Sequence, residues 1–323
     1  MPADFGMYPN CIHTLRKSPM TTDQLIHRCA EYLREAGVDT PEHDVKLIMA
    51  DVLGCSPSDV ESAAIMRTDV RALCAKYGRD DDAELVHTFK HMVCRRHARE
   101  PLQYIVGHAP FRYLDLKVGP GVFIPRQETE LIAQDAIEWV TRHGIYSPRI
   151  VDLCAGSGAL GLALATEIPG AQVWGVELSP QAAVWTRRNI TQISRTYPDI
   201  TANYHLEIAD ATCPITLAHL DGTVDVVVSN PPYVPQSQVP QQPEVRDFDP
   251  SLALYGGSSD GMLIPEQIIR RAYALLRPGG LFLMEHDISQ PDRTVAFARA
   301  SGFSDARTGA DLTYRPRYLV ATK

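Results

Sequence analysis

The chain has 323 residues, 45% of them hydrophobic and 22% charged, with a formal net charge of −8 at pH 7. That length leaves room for two domains, and that apolar fraction is ordinary for a globular protein. The acidic balance leaves no general electrostatic footprint for nucleic acid, no run approaches the ~18 apolar residues of a membrane span, and the N-terminus lacks the basic-then-apolar order of a signal peptide.

Residues 1–20 hold Pro2, Pro9 and Pro19 without periodicity and read as a mobile tail. Thr21-Thr22-Asp23-Gln24 fits a capping box. Leu25, Ile26, Cys29 and Leu33 follow at helical spacing, and Gly37 ends that helix. A second helix runs from about Pro41 to Leu53, closed by Gly54, and Ser56-Pro57-Ser58 opens a third. Asp80-Asp81-Asp82 suits the N-terminal end of a fourth, which carries Leu85, Val86, Phe89, Met92 and Val93 on one face and ends on the basic Arg95-Arg96-His97. Residues 21–100 thus read as a small helical domain without a catalytic constellation, serving substrate docking or stability alone. Residues 103–106 and 111–118 read as two short strands, a hairpin linker over 101–122. Next, Phe123-Ile124-Pro125-Arg126-Gln127-Glu128-Thr129-Glu130 enters a helix that runs to about Arg142. This segment, Arg126 included, is either one wall of a pocket or a helix start with favourable acids.

From residue 149 strands and helices alternate. Strands are expected at 150–153, 172–177, 204–209, 224–229 and 281–285, helices at 159–167, 180–194, 264–276 and 294–300, and a closing strand pair within 311–321. Such alternation implies a mostly parallel sheet with helices on both faces. The seven cysteines are odd in number, scattered and without Cys-x-x-Cys. They argue for a reducing cytoplasm rather than a disulfide framework or zinc site. His87, His91 and His97 lack a carboxylate or cysteine placed to complete a metal set and read as ordinary helix histidines.

Val224–Ser229 is a buried strand that stops abruptly at Asn230-Pro231-Pro232-Tyr233. Neither proline can continue a ladder, so Asn230 sits at the carboxyl end of a strand, where open α/β sheets bind ligands. The Asn230 carbonyl accepts one N–H of a substrate –NH2, the Pro231 backbone carbonyl can accept the other, and Tyr233 offers a flat ring. This set selects a planar amino group and aims its nitrogen. Upstream, Asp152-Leu153-Cys154-Ala155-Gly156-Ser157-Gly158 links the first strand to a helix, and the two glycines let the backbone approach a ligand. Glu177 ends the next strand, where a carboxylate accepts ribose hydroxyls. Asp152 can face a ligand ammonium, and Asp210 ends the third strand, where an adenine-binding loop would lie. Gly156-x-Gly158-x-x-Gly161 also fits the dinucleotide fingerprint, which is weak alone, so a nicotinamide oxidoreductase stands as a rival. Against it, no residues are placed for hydride chemistry, and nicotinamide enzymes need no Asn-Pro-Pro-Tyr. S-adenosylmethionine is the favoured cofactor.

Together these residues resemble the HemK-type glutamine methyltransferases of peptide chain release factors. The resemblance covers residues 21–323 and continues through Glu244-Val245-Arg246-Asp247-Phe248-Asp249-Pro250 and Ala253-Leu254-Tyr255-Gly256-Gly257. Gln127 stands where that family often has a second proline, Cys154-Ala155 replaces the commoner Gly-Thr, and Asp287 stands where glycine is frequent. The resemblance implies a Rossmann-like, class I S-adenosylmethionine-dependent α/β sheet over 123–323 behind the helical domain and hairpin. It implies methylation of the glutamine in the Gly-Gly-Gln loop of bacterial class I release factors. Cofactor contacts would come from Cys154, Ala155, Gly156, Ser157, Gly158, Glu177, Asp210, Ala211 and Asn230. Asn230, Pro231 and Tyr233 would be catalytic, with Pro232 and Arg126 also against the substrate, and no metal, membrane or direct nucleic-acid partner. The alternatives are a nucleic-acid amino-methyltransferase, since a base –NH2 fits the same loop, the nicotinamide enzyme, and a non-catalytic cofactor-binding module.

Overall fold

The computed structural model describes residues 20–79 and 83–323. The expected tail, apart from Met20, and the acidic triplet Asp80-Asp81-Asp82 lie outside the described residues. The chain divides into two compact units. One runs to Gly107 and takes in Pro243–Phe248; the other comprises His108–Gln242 and Asp249–Lys323.

The first unit is helical. α1 (Thr22–Glu35) starts where Thr21 N–H donates to Gln24 Oε1 at 3.2 Å, one half of the capping box. α2 (Pro41–Leu53) ends at Gly54 in the left-handed region. α3 (Pro57–Ile65) is capped by Ser56, whose Oγ accepts from Asp59 N–H at 3.2 Å. α4 (Val70–Lys76) was not expected: it buries only Leu73, so it leaves no periodic signal. In α5 (Ala83–His97), Phe89, Met92 and Val93 are buried, and so is Arg96. Arg96 Nε donates to Asp44 Oδ2 at 2.7 Å and its Nη1 to Glu244 Oε1 at 2.8 Å. Arg99 adds a two-pronged pair to Glu244, both bonds 2.7 Å. Burial alone would raise the Glu244 carboxyl, but Arg99 and Arg96 outweigh it and hold it at about 2. Where a strand was expected at 103–106, the chain forms α6 (Leu102–Val106). Leu102, Tyr104 and Ile105 are all buried, and so short an apolar run serves either state until its tertiary partner is known.

In the second unit, β1 (His108–Phe111) pairs antiparallel with β2 (Leu114–Lys117). The expected single strand over 111–118 is therefore broken by a turn at Arg112-Tyr113, with Arg112 at φ 52. α7 (Glu130–Arg142) follows a 3-10 turn at Gln127–Thr129. Then come β3 (Arg149–Leu153), α8 (Ala159–Glu167), β4 (Gln172–Glu177), α9 (Pro180–Ile193), β5 (Tyr204–Ile208), β6 (Val224–Ser229) and α10 (Leu263–Leu275). The last are β7 (Leu276–Glu285), α11 (Pro291–Ala300), β8 (Asp305–Ala310) and β9 (Pro316–Thr322). The sheet runs β5-β4-β3-β6-β7-β9-β8, parallel from β5 to β7 and antiparallel across β9 and β8.

Alternate strand residues feed two cores. Ile150, Val226 and Val228 pack with apolar residues of α7 and α8, whereas Val151, Val227 and Phe282 pack with Ile268, Ile269 and Ala298 of α10 and α11. This is the mostly parallel α/β sheet, with helices on both faces, that the alternation implies, and it has an antiparallel edge at β9 and β8. Two expectations fail locally. β7 starts at Leu276, not 281: the helix ends at Leu275, and Pro278-Gly279-Gly280, expected to separate helix from strand, lies within β7 in a register shift opposite Val224/Val226. The closing pair begins at Asp305; Asp311, expected in a strand, instead caps the turn by accepting from Thr313 N–H (2.8 Å) and Arg315 N–H (3.0 Å). Among the described residues no helix is long and apolar enough to cross a membrane.

Candidate active site

A cavity of about 470 Å³ opens at the carboxyl ends of β3, β4 and β6, inside the second unit. Its floor is the loop from β3 to α8. Cys154, Gly156 and Gly158 have φ of 68, 58 and 84, so the chain coils tightly beneath the ligand space, and two glycines make most of this unstrained. The loop's carbonyls are held from α9: Thr186 Oγ1 donates to Gly156 O at 2.7 Å and Asn189 Nδ2 to Ser157 O at 2.9 Å.

Glu177 lies across this floor, with Oε2 accepting from Gly156 N–H at 2.7 Å and Oε1 from Ser179 N–H at 2.6 Å. Each oxygen keeps a lone pair for a ligand hydroxyl. Burial raises its pKa and the backbone bonds oppose that. Asp152 is 1% exposed. Its Oδ2 accepts from Gly161 N–H at 2.9 Å, while Oδ1 is buried without a partner. Burial pushes this carboxyl up to about 7, and the Glu177 charge adds to the push. A buried acid with an orphaned oxygen, facing a cavity, suits a cationic ligand group. Burial also drives the Cys154 thiol up, leaving it neither base nor nucleophile. Asp210 accepts from Thr212 N–H at 2.8 Å, and this corner, with Ala211, forms another wall.

Asn230, Pro232 and Tyr233 meet the same cavity; Pro231 is buried behind them, and its side of the loop does not reach the wall. Ser229 Oγ ties the end of β6 to Leu153 O at 2.6 Å. Asn230 Nδ2 lies 3.3 Å from Thr129 Oγ1, and Thr129 Oγ1 donates to Glu285 Oε2 at 2.6 Å. Tyr233 Oη donates to the other oxygen, Oε1, at 2.8 Å. Burial raises Glu285, opposed by the two hydroxyls and the Arg317 charge; burial and Glu285 drive the Tyr233 phenol well up. Gln290 Nε2 donates to Tyr233 O at 2.9 Å, stiffening the loop from behind.

Arg126 does not line the cavity. Its Nη2 donates to Asp249 Oδ2 at 2.7 Å and its guanidinium stands 4.8 Å from the Phe123 ring. Phe123, Pro125 and Thr129 form part of the wall, and Arg126, through Asp249, ties it to the segment from Pro250 to Leu254, which also lines the cavity. Asp249 is held at about 6 because burial exceeds the Arg126 effect. Glu130 accepts from Arg112 N–H at 3.0 Å and belongs to the start of α7, so the segment is both wall and helix start. Thr129, Glu285 and Asp249 were not singled out as site residues by sequence reasoning. The only signal for Glu285 was its place at the carboxyl end of the strand beside β6.

A family model for the PrmC N-terminal domain matches residues 24–107, and one for the methyltransferase small domain matches 137–242. A release factor glutamine methyltransferase of Bifidobacterium longum is 57% identical over 302 residues, covering 94% of this chain and 99% of its own length. The chain belongs to the release factor glutamine methyltransferase family. Another relative of that name, from Mycolicibacterium smegmatis, is 43% identical over 90% of this chain and 94% of its own length. A 4-amino-L-phenylalanine/4-methylamino-L-phenylalanine methyltransferase of Streptomyces pristinaespiralis is 35% identical, over 87% of this chain and 88% of its own. Family membership explains why a dinucleotide-like glycine pattern coexists with Asn-Pro-Pro-Tyr, and it removes the nicotinamide alternative.

Proposed function

We propose that this chain transfers the methyl group of S-adenosylmethionine to the side-chain amide nitrogen of the glutamine in the Gly-Gly-Gln loop of bacterial class I release factors. The observation that carries the reading is that Asn230 and Tyr233 line the same cavity as Glu177 and Asp152, whose Oδ1 is buried without a partner. The residues fit the cofactor: Glu177 for the ribose, Asp152 for the ammonium, the Asp210–Ala211 corner for the base, and Cys154 to Gly158 for the close approach beneath it. When bound, the cofactor supplies an electrophilic methyl on a sulfonium.

The protein contributes position. A carboxamide nitrogen is a poor nucleophile because its lone pair is delocalised into the carbonyl. Asn230 Oδ1 accepts one amide hydrogen and the Tyr233 ring bounds the amide plane, while Pro231, expected to accept the second hydrogen, is buried behind the wall and serves to stiffen the loop. Orientation of this kind can remove about 7–11 kcal/mol of a barrier. The amide nitrogen becomes acidic once alkylated and releases its proton to water, so no general base is needed. The helical unit, which carries no such chemistry, serves to dock the release factor, and the setting would be the cytoplasm, where that factor works.

The test is incubation of the purified chain with methyl-labelled S-adenosylmethionine and each class I release factor, followed by peptide mapping. Label on the Gly-Gly-Gln glutamine is the expected result. Label only on free 4-aminophenylalanine, the substrate type named for the Streptomyces relative, or only on nucleic acid, would replace this reading.

A further inference from the structure

Thr129, in the cavity wall, and Glu285, behind it, are each 4% exposed, and nothing in the methyl transfer derived above employs the Glu285 carboxylate. Its geometry decides something else. The carboxylate takes two short bonds, 2.6 Å from Thr129 Oγ1 and 2.8 Å from Tyr233 Oη. An ionised carboxylate only accepts, so both hydroxyls donate to it. Thr129 has one proton, and it is committed to Glu285. What Thr129 presents to Asn230, 3.3 Å away, is therefore a lone pair. Only the –NH2 end of the Asn230 amide can meet a lone pair; the reversed amide would set oxygen against oxygen. Asn230 Oδ1 is thereby turned away from Thr129 and kept for the substrate. The same carboxylate holds the Tyr233 ring through its phenol, while Gln290 holds the Tyr233 carbonyl.

Resting on the functional reading above, we propose that Thr129 and Glu285 are positioning residues for amide recognition: one buried carboxylate fixes the Asn230 amide through the Thr129 hydroxyl and the Tyr233 ring through its phenol. The consequence is asymmetric. Without the Thr129 hydroxyl the Asn230 amide can rotate, presenting donor and acceptor in turn, and the substrate –NH2 meets its acceptor only part of the time. Thr129→Val removes the hydroxyl at nearly constant volume, and Thr129→Ser restores it.

The experiment measures kcat and KM on purified release factor, with cofactor affinity by calorimetry, for the parent, Thr129→Val and Thr129→Ser chains. The expected kcat loss for Val is about 10- to 100-fold, the scale of a misplaced reacting group. KM and cofactor affinity should stay within about twofold of the parent, and Ser should recover kcat to within about threefold. A Val variant at the parent kcat overturns the proposal. So does a Val variant whose cofactor affinity falls in step with its turnover, or a Ser variant no better than Val, since each marks a merely structural role. Failure of the functional reading shows separately, as a parent chain that leaves release factor unlabelled. In that event the positioning claim is still read from the Asn230 side-chain amide by nitrogen NMR: its protons should exchange with solvent faster in Thr129→Val, and unchanged exchange overturns the claim.

Discussion

Removing the Asn230 side chain is the perturbation on which the reaction chemistry stands or falls. Asn230→Ala deletes Oδ1, the acceptor aimed at the cavity, and Nδ2, which makes one long bond of 3.3 Å to Thr129. The rest of the loop is held without it: Ser229 to Leu153 O, Tyr233 to Glu285, and Gln290 to Tyr233 O. Folding should therefore weaken by no more than about 0.5–1.5 kcal/mol, the net worth of one hydrogen bond. Turnover should fall far more. One preorganised hydrogen-bonding group at a reacting centre commonly carries about 10²–10³ in kcat, or ~2.7–4 kcal/mol. On the proposed mechanism the same atom also sets the direction of attack. Asn230→Asp separates the two contributions. It keeps an acceptor toward the cavity, but its second oxygen faces a Thr129 hydroxyl that already donates its proton to Glu285, and it adds charge near a buried acid. Turnover for Asp should therefore lie between Ala and parent. The assay is initial-rate transfer of labelled methyl to release factor, with cofactor affinity measured by calorimetry. Parent turnover in Asn230→Ala refutes the mechanism. A loss of cofactor affinity as large as the loss of turnover would move Asn230 from substrate recognition to cofactor binding.

Asp152 gives a pH signature. Its folded pKa of about 7 lies above the 3.8 of the free side chain, so the apo protein holds this proton more tightly than the unfolded chain does. Apo stability should therefore fall as pH rises through the window from about 4 to 7, and a bound ammonium should offset that by favouring the anion. Cofactor affinity should then tighten by up to about tenfold between roughly pH 6 and 8, as the ionised fraction rises; calorimetry across that range checks it, and Asp152→Asn should flatten the profile. Gly119→Ala should destabilise the second unit by about 1–3 kcal/mol, as overpacking does. A Cβ there would stand 2.5 Å from the Trp185 ring, whose Nε1 is bonded to Pro120 O at 3.4 Å. Denaturant titration measures it, and Gly119→Ala in a Trp185→Ala background should cost less; equal losses in both would refute the clash. Arg96→Ala should cost the helical unit about 3–5 kcal/mol, because it strands a buried carboxylate. Asp44 is 3% exposed and, among the described residues, would keep its side-chain bond from Thr40 alone. An unchanged unfolding midpoint would show that this network does not hold the unit together.

The alternating half of the chain was legible because its central strands are largely buried on both faces, and such strands read as short, mostly apolar runs between turn signals. β4 and β6 fall at the expected residues, 172–177 and 224–229. Failures cluster where a local signal has two physical meanings. Pro278-Gly279-Gly280 reads as the break between helix and strand, yet β7 has already begun at Leu276 and passes through it by shifting register. The apolar run of α6 fits a strand until its partners turn out to be helices. α4 hides because a two-turn helix capped by Asp69 needs only one buried side chain.

At the site, residues whose chemistry is complete within a short motif were legible: Gly156, Glu177, Asp210, and Asn230 with Tyr233. Residues that work by holding others were not, because their partners are remote. Arg126 and Asp249 are 123 residues apart, and Thr129 and Glu285 are 156 apart. Yet Glu285 follows from sheet order. Ser229 pairs with Met284 across the parallel β6–β7 ladder. The next residues, Asn230 just past the end of β6 and Glu285 as the last residue of β7, therefore stand side by side at the ligand-binding edge of the sheet. An acid at that point is costly to bury unless it accepts hydrogen bonds, and the hydroxyls within reach are those of Thr129 and Tyr233. Once β7 is placed beside β6, the Asn-Pro-Pro-Tyr motif thus implies where its own support must lie, one residue past the register of the strand that carries it.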